Sequence, residues 1–339
     1  MSDPLIILDP WPRTAEQLFE TGQRRRLDGL GRVAAIDSRT SPGDLDRLLP
    51  EASIVLGQPD LPAERLQRAP ALRAIVNVEG NFYPNVDYAL CFAAGIHVLT
   101  ISPAFAVPVA EMTIGLALDL ARGITAADRD VREGTELYGS RGNAGAMLLS
   151  RARVGLVGYG AIGRAIRRLL RAFSAQVSVF DPWLPDGLVR DEDCTPADLA
   201  TLLTASDFIL VSAAATAQNR HLLGRAELEM IRPDAALVLV SRADVVDFDA
   251  LVELADAGRV RAATDVFPIE PIPADHKVRR SRLLLSPHRA GGVRAAMSSA
   301  AEMILDDLCL ILAGLPPVRL APARRETVGL VRSKPAGYA

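Results

Sequence analysis

The chain has 339 residues, 49% hydrophobic and 23% charged, the composition of a globular protein long enough to bury two cores. Its formal net charge of −3 supplies no basic field for nucleic acid or an anionic membrane surface. The scattered Cys91, Cys194 and Cys309 have neither metal-ligand spacing nor an even-numbered disulfide framework, which points to reduced thiols, a cytoplasmic protein and no bound metal.

No uncharged apolar run approaches the roughly 18 residues of a membrane span, so no membrane contact is expected. In chain order, Leu5–Leu8, Val33–Ile36, Ser53–Leu56, Ala74–Val78 and His97–Leu99 read as strands. Thr14–Asp28, Asp44–Leu49, Ala63–Ala69 and Val86–Ala94 read as helices between them. That alternation predicts a parallel sheet with helices on its faces and no phosphate fingerprint, a candidate substrate domain. A boundary falls near Thr100–Pro103. A long, largely buried helix is expected over Val107–Arg132, with Pro108 in its first turn. Gly134–Ser150 reads as loop.

A second strand–helix series follows. Val154–Val157 runs into Gly158, Gly160 and Gly163 at G-x-G-x-x-G spacing, and an amphipathic segment follows at once. The first glycine permits a tight turn, the second lets a pyrophosphate approach the backbone, and the third lets helix and strand pack closely. The next strand, Gln176–Phe180, ends on Asp181, where an acid accepts hydrogen bonds from an adenosine ribose. This is a dinucleotide site, and Asp181 favours NAD over NADP. Further strands are expected at Phe208–Val211, Leu237–Val240, Arg261–Thr264 and Leu283–Leu285. A second long helix, Ala295–Ala313, returns the chain to the first domain, and 321–339, with Arg324, Arg325, Arg332 and Lys334, reads as a solvated or disordered tail.

Ligands of open α/β sheets lie outside the carboxyl ends of the strands. Three strand ends there carry Arg242, Glu270 and His288. Arg242 can grip a carboxylate, His288 can give a proton to a forming alkoxide, and Glu270 can orient and charge the histidine. Asp265 is placed to accept from a nicotinamide carboxamide. His97, His221 and His276 read as structural or solvated.

With these residues the chain resembles the NAD-dependent D-2-hydroxyacid dehydrogenase family over about residues 5 to 320. The likeness rests on Val109–Leu116, the GYGAIG turn with Asp181, Ser241–Ala243, Asp265–Phe267 with Glu270-Pro, and Ser286–Gly291. It implies two doubly wound parallel-sheet α/β domains. A Rossmann-type cofactor domain (103–294) is inserted in a flavodoxin-like split substrate domain (1–102 plus 295–320). It also implies a homodimer acting on a small 2-oxo or 2-hydroxy acid with NAD, Arg242 as substrate anchor and Glu270/His288 as acid/base dyad. The implied cofactor set is Gly158, Tyr159, Gly160, Ala161, Ile162, Gly163, Asp181, Ala213, Asn219, Ser241, Asp265, His288 and Gly291, and the implied substrate set adds Glu79, Gly80 and Asn81 to Arg242 and His288.

Departures fall on the loop Val78–Asp87, which lacks a second glycine and carries Pro84 where an acid is usual. Phe82 and Tyr83 there either line a pocket or pack against the hinge. Ser212–Thr216, Leu239 and Ala243 also differ from the usual residues. Oxidation of another oxyanion such as phosphite, and an NAD(H)-sensing binding protein akin to corepressors, remain alternatives.

Overall fold

The computed structural model describes residues 3–330. Its strands are β1 Leu5–Asp9, β2 Arg32–Ala35, β3 Ala52–Gly57, β4 Ala74–Asn77, β5 His97–Thr100, β6 Arg153–Val157, β7 Gln176–Phe180, β8 Thr195–Pro196, β9 Phe208–Val211, β10 Ala236–Leu239, β11 Arg261–Thr264, β12 Leu284–Leu285 and β13 Ala321–Pro322. They form two sheets, one in each of two compact units. One unit is Ala106–Gly291; the other takes the described residues through Phe105 and from Gly292 onward. The joins expected from sequence were at 102/103 and 294/295.

The first unit's sheet runs β13-β5-β4-β3-β1-β2, parallel except for β13. This is the 2-1-3-4-5 doubly wound order with one antiparallel strand added. Alternate residues of each strand feed opposite faces, as the period of two requires. Ile6, Leu8, Ile54, Leu56, Ala74 and Val76 form one core with the helix Arg294–Leu312. Ile7, Val55, Ile75 and Val98 form the other with Leu45, Leu66 and Cys91 of the opposite helices. Both faces are covered, which is why the strands read as continuous apolar runs.

The second unit's sheet is parallel throughout, in the order β12-β11-β10-β9-β6-β7-β8. Numbered from β6, this is the 3-2-1-4-5-6 order of dinucleotide-binding sheets with one strand added. Its core gathers Val157, Ile209, Val211, Leu237 and Leu239 beneath the helix Phe248–Asp256.

Three expectations need correction. Thr14–Asp28 is two helices, Ala15–Leu18 and Thr21–Asp28, because Phe19 turns extended (φ −126°, ψ 120°) to bury its ring. Capping boxes at Thr14 with Gln17 and at Glu20 with Gln23 start each piece. The long helix starts at Ser102 and stops at Arg122, since Gly123 takes φ 63°, and Ile124–Glu133 follows separately. Pro103 therefore occupies the first turn, and Pro108 sits inside the helix. Although it carries Glu111, Asp119 and Arg122 and so is no uncharged run, Ser102–Arg122 is long and apolar enough, by length and composition alone, to cross a membrane. Burial of Val109, Ala110, Ile114, Leu116, Ala117 and Ala121 accounts for that apolarity. Finally, the tail does not begin solvated. Ala321 and Pro322 pair antiparallel with Thr100 and Leu99, and the Arg325 guanidinium lies 5.1 Å from the Phe92 ring centroid. Arg332 and Lys334 lie outside the described residues.

Candidate active site

The second unit's sheet reverses strand order between β6 and β9, and the glycine turn lies there. Gly158 has φ 89°, and a Cβ on it would stand 2.5 Å from the Ala213 Cα. Only glycine lets the β6 turn approach the loop after β9 so closely. The Ser212 hydroxyl ties the two by donating to the Gly158 carbonyl at 2.9 Å. A Cβ on Gly163 would lie 2.6 Å from that same carbonyl, so the helix packs against the turn itself. Gly160 differs, because a Cβ there would meet nothing within 4 Å. It N-caps the ten-residue helix Ala161–Leu170, so open space faces a helix N-terminus that begins with Ala161, Ile162 and Gly163. Such a terminus favours a phosphate.

Asp181, at the end of β7, accepts from the Tyr159 N–H at 2.8 Å and from the Trp183 N–H at 3.0 Å. The carboxylate is thus fixed beside the turn, a tie that no sequence pattern announced. The Tyr159 side chain turns into the core. It is fully buried, donates to Glu192 Oε2 at 2.9 Å and lies under Arg164, which itself pairs with Glu192 at 2.7 Å. Asn219 shapes the loop after β9 by accepting from the Thr216 N–H at 2.7 Å and donating to the Ala214 carbonyl at 2.6 Å.

The strands β10, β11 and β12 are neighbours, and their carboxyl ends carry Arg242, Glu270 and His288. His288 Nδ1 is 2.6 Å from Glu270 Oε2, and Glu270 Oε1 accepts from the Phe267 N–H at 2.8 Å. Burial pushes the Glu270 carboxyl up. The hydrogen bond and charge of His288, the Phe267 amide and the positive charge of Arg242 outweigh it and hold the group below its ordinary value. With Glu270 ionised, Nδ1 carries the proton of that bond, which leaves Nε2 outside it. Arg242 also donates to the Ser241 carbonyl at 2.7 Å. Ser241 is 5% exposed, and its hydroxyl has no hydrogen-bond partner among the described residues.

Asp265 is engaged with the loop that follows β12. It is 1% exposed and accepts from the Ser286 hydroxyl at 2.5 Å, the Arg289 N–H at 3.0 Å and the Ala290 N–H at 2.9 Å. It clamps the turn that carries His288, whose backbone sits in the left-handed region at φ 50°. Gly291 closes that turn and is partly exposed.

In the first unit, Asn77 donates to the Asn81 carbonyl at 3.2 Å and so folds the loop back on the end of β4. Gly80 lies against Phe105, where a Cβ would come within 3.1 Å of the ring. Phe82 packs on the core and edge-to-face on Tyr88, at 6.3 Å between centroids, and Tyr83 is buried. Both aromatics therefore pack within the first unit. Arg13, not among the residues expected here, donates from Nε to the Val78 carbonyl at 3.2 Å and meets Glu79 Oε1 at 2.9 Å. Nothing local marks it, since its partners are distant in sequence. Of the remaining histidines, His276 accepts from the Val278 N–H at 3.2 Å as a helix cap.

The residues present fit a dinucleotide. A turn that no Cβ could fill at two positions stands beside open space at a third, with an anchored carboxylate next to it and, on the same sheet edge, a buried hydroxyl with no partner among the described residues.

Residues 114–290 match the family D-isomer specific 2-hydroxyacid dehydrogenase, NAD binding domain. A solved structure described as a phosphoglycerate oxidoreductase from Rhizobium etli is 45% identical, with a TM-score of 0.87, over 96% of this chain and 100% of that one. A glyoxylate reductase of Thermofilum pendens is 30% identical over 298 residues, 84% of this chain and 87% of that protein. A D-3-phosphoglycerate dehydrogenase of Synechocystis sp. is 26% identical over 303 residues, 86% of this chain but only 52% of that longer protein. Fold order, glycine turn and matched relatives agree: this chain is an oxidoreductase belonging to the D-isomer specific 2-hydroxyacid dehydrogenase family.

Proposed function

We propose that the protein interconverts a small D-2-hydroxy acid and its 2-oxo acid with NAD(H). The observation that carries this reading is the His288–Glu270 dyad at 2.6 Å beside the Arg242 guanidinium, on three adjacent strand ends of a dinucleotide-type sheet. Gly158, Gly160, Gly163, Asp181 and Ser241 would hold the cofactor, which supplies or accepts the hydride when bound. Arg242 grips the substrate carboxylate in its planar fork and polarises the neighbouring carbonyl. His288 holds the transferable proton at Nε2 and delivers it to the developing alkoxide. Glu270 fixes the ring and balances its charge. In the oxidative direction the same nitrogen takes the hydroxyl proton back. The loop at Glu79, Gly80 and Asn81, on the carboxyl edge of the other sheet, belongs to substrate binding. Asp181 supports NAD over NADP, because a 2′-phosphate would meet a carboxylate there and no arginine follows it directly.

The test is NADH consumption with glyoxylate, hydroxypyruvate, pyruvate and longer 2-oxo acids, for the wild type and for His288→Ala. Turnover that disappears in the variant supports the assignment, whereas turnover that survives it removes His288 from the chemistry. Asp181→Ala should weaken NADH and narrow the preference over NADPH; an unchanged preference would separate Asp181 from the ribose.

A homodimer completes the proposal. Ile124, Val131, Leu137, Tyr138 and Leu148 are exposed along one helix and the loop after it. Apolar side chains so gathered in sequence suit a self-complementary contact with a second copy.

A further inference from the structure

Tyr159 has a glycine on each side, Gly158 at φ 89° and Gly160, where a Cβ would meet nothing within 4 Å. Glycines reach conformations that other residues refuse, and the same freedom leaves a turn many conformations to choose from. The Asp181 carboxylate is bound to this turn, by the Tyr159 N–H at 2.8 Å. It is aimed only as firmly as the turn is fixed.

The Tyr159 side chain supplies the constraint that the glycines do not. It is fully buried, and its hydroxyl donates to Glu192 Oε2 at 2.9 Å. Burial, and then the neighbouring Cys194 and Glu192, pushes the phenol up, so its proton stays in place to be donated. Glu192 Oε1 accepts from Arg164 Nη1 at 2.7 Å, and Arg164 returns to the turn by donating from Nε to the Tyr159 carbonyl at 3.3 Å. The guanidinium also stands 5.2 Å from the Tyr159 ring centroid. Phenol, carboxylate and guanidinium thus form a closed cycle that begins and ends on one residue. Asp181 and Glu192 lie near the two ends of the single excursion of chain between β7 and β8, and Tyr159 holds both. Arg167, on the same helix as Arg164, donates to the Asp193 carbonyl at 3.1 Å and ties that excursion down a second time. Every residue in this network belongs to the unit Ala106–Gly291.

We propose, resting on the reading of Asp181 as the ribose acid, that Tyr159 is a positioning residue for cofactor choice: through Glu192 and Arg164 its buried phenol fixes the amide that aims Asp181, and so sets the preference for NAD over NADP. A carboxylate aimed in advance accepts from the ribose 2′-hydroxyl without first being ordered. It also confronts a 2′-phosphate with a charge that cannot swing aside.

The experiment measures the Kd of NADH and of NADPH by fluorescence titration of the full chain, with the Tm of each variant alongside. Tyr159→Phe keeps the ring and removes the link to Glu192. It should lower the ratio of the NADPH Kd to the NADH Kd by about three- to tenfold, chiefly by weakening NADH. In the Asp181→Ala background the same substitution should leave the ratio where Asp181→Ala alone put it, because the tyrosine acts through that carboxylate. Glu192→Ala should repeat the shift, and Glu192→Gln, which keeps an acceptor for the phenol, should recover part of it. Glu192 is half-buried, so these variants serve even if Tyr159→Phe fails to fold. A phenol that only stabilises the fold would lower Tm with the ratio unmoved, and that result would overturn the proposal. An equal shift with and without Asp181 would overturn it too. If Asp181→Ala itself leaves the ratio unchanged, the ribose reading fails and this inference fails with it. A ratio that responds to Asp181→Ala but to neither Tyr159→Phe nor Glu192→Ala sinks this inference alone.

Discussion

His288 holds a left-handed backbone at φ 50°, a conformation that costs a non-glycine residue about 1–3 kcal/mol. Asp265 sustains it with three hydrogen bonds to Ser286, Arg289 and Ala290. The imidazole is thereby aimed before any substrate arrives. His288→Ala and Glu270→Gln should each lower kcat by roughly 10²- to 10⁴-fold, with NADH affinity by fluorescence titration nearly unchanged. The dyad also has a signature in stability. Glu270 is held below its ordinary value of 4.5 in the folded state, so its contribution is complete above that value and disappears as pH falls through the lowered one. Thermal unfolding across the acid range should show the advantage of the wild type over Glu270→Gln shrinking below pH 4.5; a constant difference would mean that the pair does not titrate as stated. Arg242, Glu270 and His288 were legible in the sequence because each follows a recognisable strand at the edge where ligands bind. The clamp by Asp265 and the reach of Arg13 to residues 78 and 79 were not legible, since both depend on distances between remote segments.

The glycine turn separates two requirements that one motif merges. Gly163→Ala drives a methyl to within 2.6 Å of the Gly158 carbonyl, whereas Gly160→Ala meets nothing within 4 Å. The first variant should lose thermal stability and cofactor affinity together. The second should melt like the wild type while its NADH Kd rises; equal melting of the two would show that the third glycine does not support the packing. Asp307 acts in the same manner for the end of the described chain. It is completely buried and accepts from the Val318, Arg319 and Leu320 amides, shaping the turn that leads into β13. Asp307→Ala strands these donors and should cost roughly 2–4 kcal/mol in denaturant unfolding. Central strands were readable to within a residue or two because burial on both faces leaves continuous apolar runs. Helix interruptions were not. Gly123 sits in a sequence that stays helical in composition on both sides, and only its positive φ marks the break. The two-residue strands β8 and β13 carry too little periodicity to announce themselves.

On the scale of the molecule, the exposed apolar side chains at Val131, Leu137 and Tyr138 bear on assembly. The paired substitution Val131→Glu/Leu137→Glu should convert the proposed dimer to monomers in sedimentation velocity while leaving the far-ultraviolet circular dichroism unaltered. A wild type that sediments as a monomer would remove the dimer instead. The first unit is discontinuous: its sheet and one of its cores use strands from before residue 106 together with the helix Arg294–Leu312 and β13. Protein synthesis runs in one direction, and that arrangement imposes a timetable on it. As the chain leaves the ribosome, the segment Ala106–Gly291 emerges whole and can close its own core. The earlier hundred residues still lack the helix that covers one face of their sheet. Ribosome-bound chains halted just past Gly291, after the tunnel is cleared, should therefore resist protease in the later-made unit and be cut in the earlier one, so that the part translated first matures last.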